Sequence, residues 1–170
     1  MQDRNTRTGE DAEKTLQLYI VDDDSAVRES SRVLCEPIDL ACFTFESGEA
    51  FLEHLRTVPF PAGCAIVDLC LCGISGLTVL KELREHYPFV VPVLITGFAD
   101  LHQIANEMLK LNAKLVPKPY VGDAFWDAIV ESLSIAGRNT MDRQAHRIPC
   151  ADRSSDRMVT QMRRNLRIAR

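Results

Sequence analysis

The stretch Leu18-Tyr-Ile-Val-Asp-Asp-Asp24 decides the fold. Four residues without a charge run straight into three carboxylates. With Leu16 and Gln17 before them they read as a strand over Leu16–Val21, covered on both faces, that meets water only at its carboxyl end. An alternating strand would belong to a half-exposed antiparallel sheet; a largely continuous apolar run belongs to a parallel sheet with helices on both sides. Two more stretches have the same character: Cys64-Ala-Ile-Val67, ending in Asp68, and Val90–Ile95, where Pro92 is tolerable near the start.

The intervening segments read as helices. Ser25 to Glu36 is helical in composition and stops at Pro37. Leu40–Phe45 is a second strand, and Ser47 caps a helix with Phe51, Leu52 and Leu55 on one side. Gly76–His86 has Leu77, Leu80, Leu83 and the following Tyr87 at helical spacing. Asp100 can cap a helix holding Ile104, Met108 and Leu111. Leu115-Val116 is a brief fifth strand, and Asp123 can cap a last helix with Phe125, Trp126, Ile129, Val130 and Leu133. The pattern is (βα)₅, and right-handed crossovers make it an open, doubly wound, five-stranded parallel sheet.

Composition agrees. Of 170 residues, 46% are hydrophobic and 26% charged, as in a globular protein rather than a disordered one. The longest apolar runs are far too short to span a bilayer, so no transmembrane segment is expected. The polar start MQDRNTRTGEDAEK does not read as a secretory signal, which points to the cytoplasm. Residues 1–15 read as a disordered leader and 16–135 as the folded domain. The net charge of −4 is uneven: residues 136–170 hold nine Arg and three Asp, a balance of +6, so the remainder stands at −10.

Ligands of such a sheet bind at the carboxyl ends of its strands. Strand one ends in Asp22-Asp23-Asp24, strand three in Asp68, strand four in Thr96-Gly97, and strand five in Lys118-Pro119. Several carboxylates in one crevice repel unless a cation sits among them, and hard oxygens in small number suit Mg²⁺. A lysine and a hydroxyl beside them could hold phosphoryl oxygens. Together these are the parts needed to move a phosphoryl group onto an aspartate. Each part alone is commonplace, and a solvated loop residue is the simpler reading of any one.

Residues 16–135 resemble a response-regulator receiver domain, in particular that of the FixJ-type nitrogen-fixation regulators of two-component systems. The resemblance rests on Leu18–Asp24, Val67-Asp-Leu-Cys-Leu-Cys-Gly-Ile-Ser-Gly76, Leu94-Ile-Thr-Gly97 and Val116-Pro-Lys-Pro119. It implies a flavodoxin-like strand order 2-1-3-4-5 and a phosphoacceptor at Asp68. It implies Mg²⁺ held by Asp22, Asp23, Asp68 and the backbone carbonyl of Cys70. Thr96 and Lys118 would contact the acyl phosphate, and the Lys118–Pro119 bond would be cis. The implied phosphodonor is a histidine kinase or a phosphotransfer protein in a phosphorelay, and the implied output is a phosphorylation-dependent change in affinity for an unknown downstream protein, with no enzymatic turnover. The chain departs from the family at Cys72, where a Pro is usual, at Gly73, and at Leu115, where many members carry a switching aromatic residue.

Other signals have plainer readings. Cys35, Cys42 and Cys64 read as small buried hydrophobes. Cys70 and Cys72 could be oxidation-sensitive or bind a soft metal, but no sequence neighbour lowers their pKa. His54, His86, His102 and His146 read as surface or tail residues, and Ser75 as a helix cap. The 35 residues after Ile135 are too few for a helix-turn-helix output domain, so the expectation is a stand-alone receiver. Its Arg-rich tail would form an amphipathic helix over 155–170, with Met158, Met162, Leu166 and Ala169 on one stripe. A frayed, solvated tail folding weakly against the acidic body is its plainest reading; of the functional uses docking on a protein comes first, with nucleic acid and an anionic membrane the others. Two rivals differ in class. One is a receiver-fold scaffold that is never phosphorylated. The other is a phosphatase-like hydrolase using Asp22 and Asp24 as a D-x-D pair.

Overall fold

Five strands build one sheet in the computed structural model, which describes residues 16–97, 104, 107, 108, 110, 111, 113–119, 123–145 and 160. They are β1 (Gln17–Val21), β2 (Cys42–Phe45), β3 (Gly63–Asp68), β4 (Val90–Thr96) and β5 (Lys114–Pro117), in the order β2-β1-β3-β4-β5. Every neighbouring pair is parallel. The helices are α1 (Ser25–Cys35), α2 (Gly48–Thr57), α3 (Gly76–His86) and α4 (Asp123–Ala145). Residues 104, 107, 108, 110 and 111 are also helical.

Period-two geometry explains why the central strands are apolar throughout. On β1, Leu18 and Ile20 point into one core, while Tyr19 and Val21 point into the other. On β3, Cys64 and Ile66 join the first core, Ala65 and Val67 the second. The first core is completed by Cys35 of α1 and by Phe125, Ala128, Ile129, Leu133 and Ala136 of α4. The second is completed by Phe51, Leu52 and Leu55 of α2, by Val79, Leu80 and Leu83 of α3, and by Ile104 and Met108. All six residues of β3 are buried, so a water-seeking group on it can only sit at its end.

The expected (βα)₅ sheet and its strand order are the ones found, with boundaries that differ in instructive ways. Pro37 does not stop the chain's helical course. α1 ends at Cys35, and Glu36–Ile38 continues as a 3₁₀ turn. Proline fits the start of such a turn because the N–H it lacks would have no partner there. Asp39 then takes a left-handed conformation, φ 56°, and β2 begins at Cys42 instead of Leu40. Asp123 is the first residue of α4 and not its cap, an acidic group at the positive end of the helix dipole. The Lys118–Pro119 bond is cis.

The larger correction is at the end of the domain. α4 runs ten residues past Ile135, where the sequence reading closed the folded unit. Ala136 is fully buried, and the Asn139 side chain donates to the Pro88 carbonyl at 3.2 Å. Ala136 and Asn139 therefore pack with the domain. The reading missed them because a helix that packs only its first half on a sheet loses its apolar stripe while its backbone ladder continues. His54 is also corrected: it is half-buried, with ring centroids 5.1 Å from both Phe43 and Phe45. The leader 1–15, Phe98, the Asp100 cap, His102, His146 and the stripe Met158, Met162, Leu166, Ala169 lie outside the described residues.

A chain cut after Ala145 should unfold in urea close to the full chain. One cut after Ile135 should be less stable by about 2 kcal/mol, from the buried Ala136 methyl at about 0.8 kcal/mol and the Asn139 bond at about 1 kcal/mol. Equal midpoints for the two truncations would return residues 136–145 to the tail.

Candidate functional site

Strand order alone assembles the site. β1 and β3 are neighbours whose connections leave in opposite directions, and Val21 pairs with Val67. The next residues of those strands, Asp22 and Asp68, thus emerge side by side in the crevice between them. Thr96 ends β4 opposite Pro117, and the Lys118 N–H donates to the Thr96 carbonyl at 2.7 Å. The sheet ladder is thereby carried one step further at the edge that bears the lysine. Leu69 does the same from β3 by donating to the Ile95 carbonyl.

The Lys118 ammonium bridges two carboxylates. Nζ lies 2.9 Å from Asp22 Oδ2 and 3.1 Å from Asp68 Oδ2. Asp22 and Asp68 are both buried, at 4% and 8% exposure, while Asp23 is exposed. Carboxylate oxygens of Asp22, Asp23 and Asp68 all come within 4.8 Å of one another. The remaining Asp22 oxygen accepts from the Asp24 N–H, and the Asp22 carbonyl accepts from the Arg28 guanidinium at 2.7 Å.

The electrostatics follow from burial. Desolvation raises the Asp68 pKa above the ordinary carboxylate value; Lys118 opposes that rise and Asp22 adds to it. Burial works against the Lys118 charge, but hydrogen bonds to Asp22 and Asp68 outweigh it and hold its pKa above the usual lysine value. Lys118 thus pairs with two of the three acidic side chains, Asp22 and Asp68. Three convergent carboxylates with a single lysine are a hard-oxygen donor set with negative charge to spare, which fits a divalent cation such as Mg²⁺.

The remaining sequence candidates divide clearly. Thr96 is fully buried, with its hydroxyl donating to the Gly97 carbonyl at 3.2 Å. Cys70 is exposed on the loop after β3. Asp24 is not part of the cluster: its side chain caps α1 by accepting from Ala26 N and Val27 N. The D-x-D pair of the hydrolase reading is therefore not formed. Cys72 donates its thiol to Asp23 Oδ2 at 2.9 Å. That bond lowers the Asp23 pKa and raises that of the thiol, which leaves less thiolate for oxidation.

Two contacts escaped the sequence reading. Arg28 follows Asp22 by six residues, a spacing no motif flags. Glu49 accepts from the Ile74 N–H at 2.9 Å across 25 residues of chain. The Gly48-Glu49 pair behind the Ser47 cap was its only local signal.

The chain is similar to known proteins over this domain. The family model described as the response regulator receiver domain matches residues 18–129. The transcriptional regulatory protein FixJ of Azorhizobium caulinodans is 37% identical over 121 residues, covering 71% of this chain and 56% of that protein. FixJ of Bradyrhizobium diazoefficiens is 34% identical over 118 residues, covering 68% and 55%. Among solved structures, the response regulator StyR superposes with a TM-score of 0.70 at 28% identity, over 78% of this chain and 66% of that one. The chain thus spans about half the length of the curated relatives it matches.

The raised pKa of Asp68 makes a prediction with a definite sign. A carboxyl whose folded pKa exceeds its unfolded one binds more protons when folded, so its ionisation costs stability as pH rises through the folded value. In chelator, Asp68→Asn should therefore melt higher than wild type at pH 7. The gap should close as pH falls below 3.8, the ordinary value, where Asp68 becomes protonated in both states. A lower melting temperature for the Asn variant at pH 7 would show that the Lys118 contact outweighs burial.

Proposed function

This chain belongs to the response regulator receiver domain family, and from that membership we propose that it accepts a phosphoryl group on Asp68 from a histidine kinase or a phosphotransfer protein. The observation that carries the reading is the Lys118 ammonium, held between Asp22 and Asp68 at the mouth of β1 and β3. In the transfer, a carboxylate oxygen of Asp68 forms the new O–P bond while the donor's bond to phosphorus breaks, and the electron pair leaves with the donor. Lys118 is already in contact with the attacking carboxylate, so it can follow the negative charge onto the phosphoryl oxygens without a large movement. Thr96, at the end of the adjacent strand, is the hydroxyl assigned to a second phosphoryl oxygen.

Asp22, Asp23 and Asp68, with the Cys70 carbonyl, are the groups that would hold Mg²⁺. The cation would neutralise charge that builds up on the transferring oxygens. The roles of these residues follow the family resemblance, and the geometry above is what supports them. Output is a change in affinity for a downstream protein, with no turnover of substrate, in a protein we assign to the cytoplasm. Among the described residues, no helix is long and apolar enough to cross a membrane. The Arg-rich residues after Ala145 are read as a docking segment for a protein partner, whose complex would weaken with salt.

Incubation with a small acyl phosphate and Mg²⁺ should label the wild type at one residue. Asp68→Asn and metal chelation should each abolish the label, and Lys118→Ala should slow labelling by about 10²-fold or more, the scale expected when a positioned electrostatic group is removed. A non-phosphorylated scaffold would take no label in any of these. Label persisting in Asp68→Asn would move the acceptor elsewhere.

A further inference from the structure

The loop between β3 and α3, residues 69–75, contains the Cys70 carbonyl assigned above to the cation. Leu69 and Leu71 are buried in the second core and Ile74 packs against it, whereas the tip between them, Cys72-Gly73, is exposed. At its base the loop is closed by the Gly76 N–H, which donates to the Leu69 carbonyl at 3.0 Å. Gly76 comes so near β3 that a Cβ there would lie 2.2 Å from the Asp68 carbonyl. The tip is held from outside the loop. Glu49, in the first turn of α2, accepts from the Ile74 N–H at 2.9 Å. Gly73 adopts φ 90°, and a Cβ on it would fall 2.4 Å from Glu49 Oε1. The carboxylate thus occupies the space a side chain at 73 would need. On the opposite flank, Cys72 reaches Asp23.

The start of α2 does not rest on Glu49 alone. Ser47 already caps α2 by accepting from Ala50 N. The Glu49 carboxyl is held below its usual pKa by its own backbone N–H and that of Ile74, so it stays ionised and a good acceptor at neutral pH. Its bond to Ile74 ties two stretches that are distant in sequence, one of which enters the acidic crevice.

We propose that Glu49 is a positioning residue for the phosphoryl-acceptor site: through the Ile74 amide it fixes the 69–75 loop, and with it the Cys70 carbonyl and Cys72, against Asp22, Asp23 and Asp68. The inference rests on the reading of that cluster as a divalent-cation site. A fixed loop presents its carbonyl without paying ordering entropy when the ion arrives, so loosening the loop should appear first as weaker binding.

The test is Mg²⁺ affinity of the full chain by isothermal titration calorimetry, with thermal melts to confirm folding. Glu49→Gln keeps an oxygen at the same reach and should bind Mg²⁺ within about twofold of wild type. Glu49→Asp keeps the charge but is one methylene short, and should weaken binding several-fold, as should Glu49→Ala. That lies at or below the low end of the roughly 10–100-fold effect of removing groups that orient metal ligands. If Glu49→Ala does not fold, the Gln and Asp variants decide the matter. A folded Glu49→Asp with wild-type affinity overturns the inference, because charge alone then suffices or the loop needs no clamp. A weakened Glu49→Gln beside an unaffected Glu49→Asp overturns it in the same way. Wild type that binds no Mg²⁺ overturns the cation-site reading itself and this inference with it. Binding that is lost in Asp22→Asn but untouched in Glu49→Asp leaves that reading standing and removes only the clamp.

Discussion

The site depends on one ammonium shared by two buried carboxylates. Asp22 and Asp68 are forced together by the β1–β3 pairing, and the backbone around them cannot separate them without breaking the sheet. Lys118 makes that proximity tolerable, but one positive charge does not balance three acids. The fold thus contains a standing electrostatic deficit at one edge. A divalent cation or a change in the charge of Asp68 would act on that deficit directly, which is why binding and modification would register in the surrounding structure. Burial of β3 along its whole length, Asp68 included, keeps that deficit largely out of solvent.

Much of this was legible in the sequence, for a physical reason. A strand buried on both faces has no choice but to be apolar, so β1, β3 and β4 announce themselves, and the polar residues that end them can only lie at the carboxyl edge. That logic puts Asp22, Asp68, Thr96 and Lys118 at one edge of the sheet. The edges of elements were less legible. Pro37 reads as a stop, yet it is compatible with the opening of a 3₁₀ turn. Residues 136–145 lack the apolar stripe that marked the first half of α4, and a polar contact such as Asn139 with Pro88 leaves no periodic signal in the sequence.

What stayed hidden were bonds between a side chain and a distant backbone group. Glu49 with Ile74, and Arg28 with the Asp22 carbonyl, obey no periodicity, since the backbone partner can belong to any residue type. Cys72 with Asp23 is a bond between two side chains, but 49 residues separate them and no motif links the pair. The position departs from the family's usual proline, and the sequence can say that ring rigidity is lost there. It cannot say that a thiol contact and a glutamate clamp stand on either side of the gap.

The course of α4 has a mechanical corollary. Its Asn139 grips Pro88, just ahead of the first residue of β4, whereas the acceptor lies at the opposite end of the strands. Seven strand residues span about 23 Å, so the point where the chain leaves the sheet is a full domain length from Asp68. Beyond Asn139 the helical rod continues for about 9 Å. A small tilt of α4 against the sheet would be magnified along that rod, which makes it the pointer of a dial whose pivot is the first hydrophobic core. Whatever is joined to residue 145 would sense the angle of the helix without ever approaching the acidic crevice.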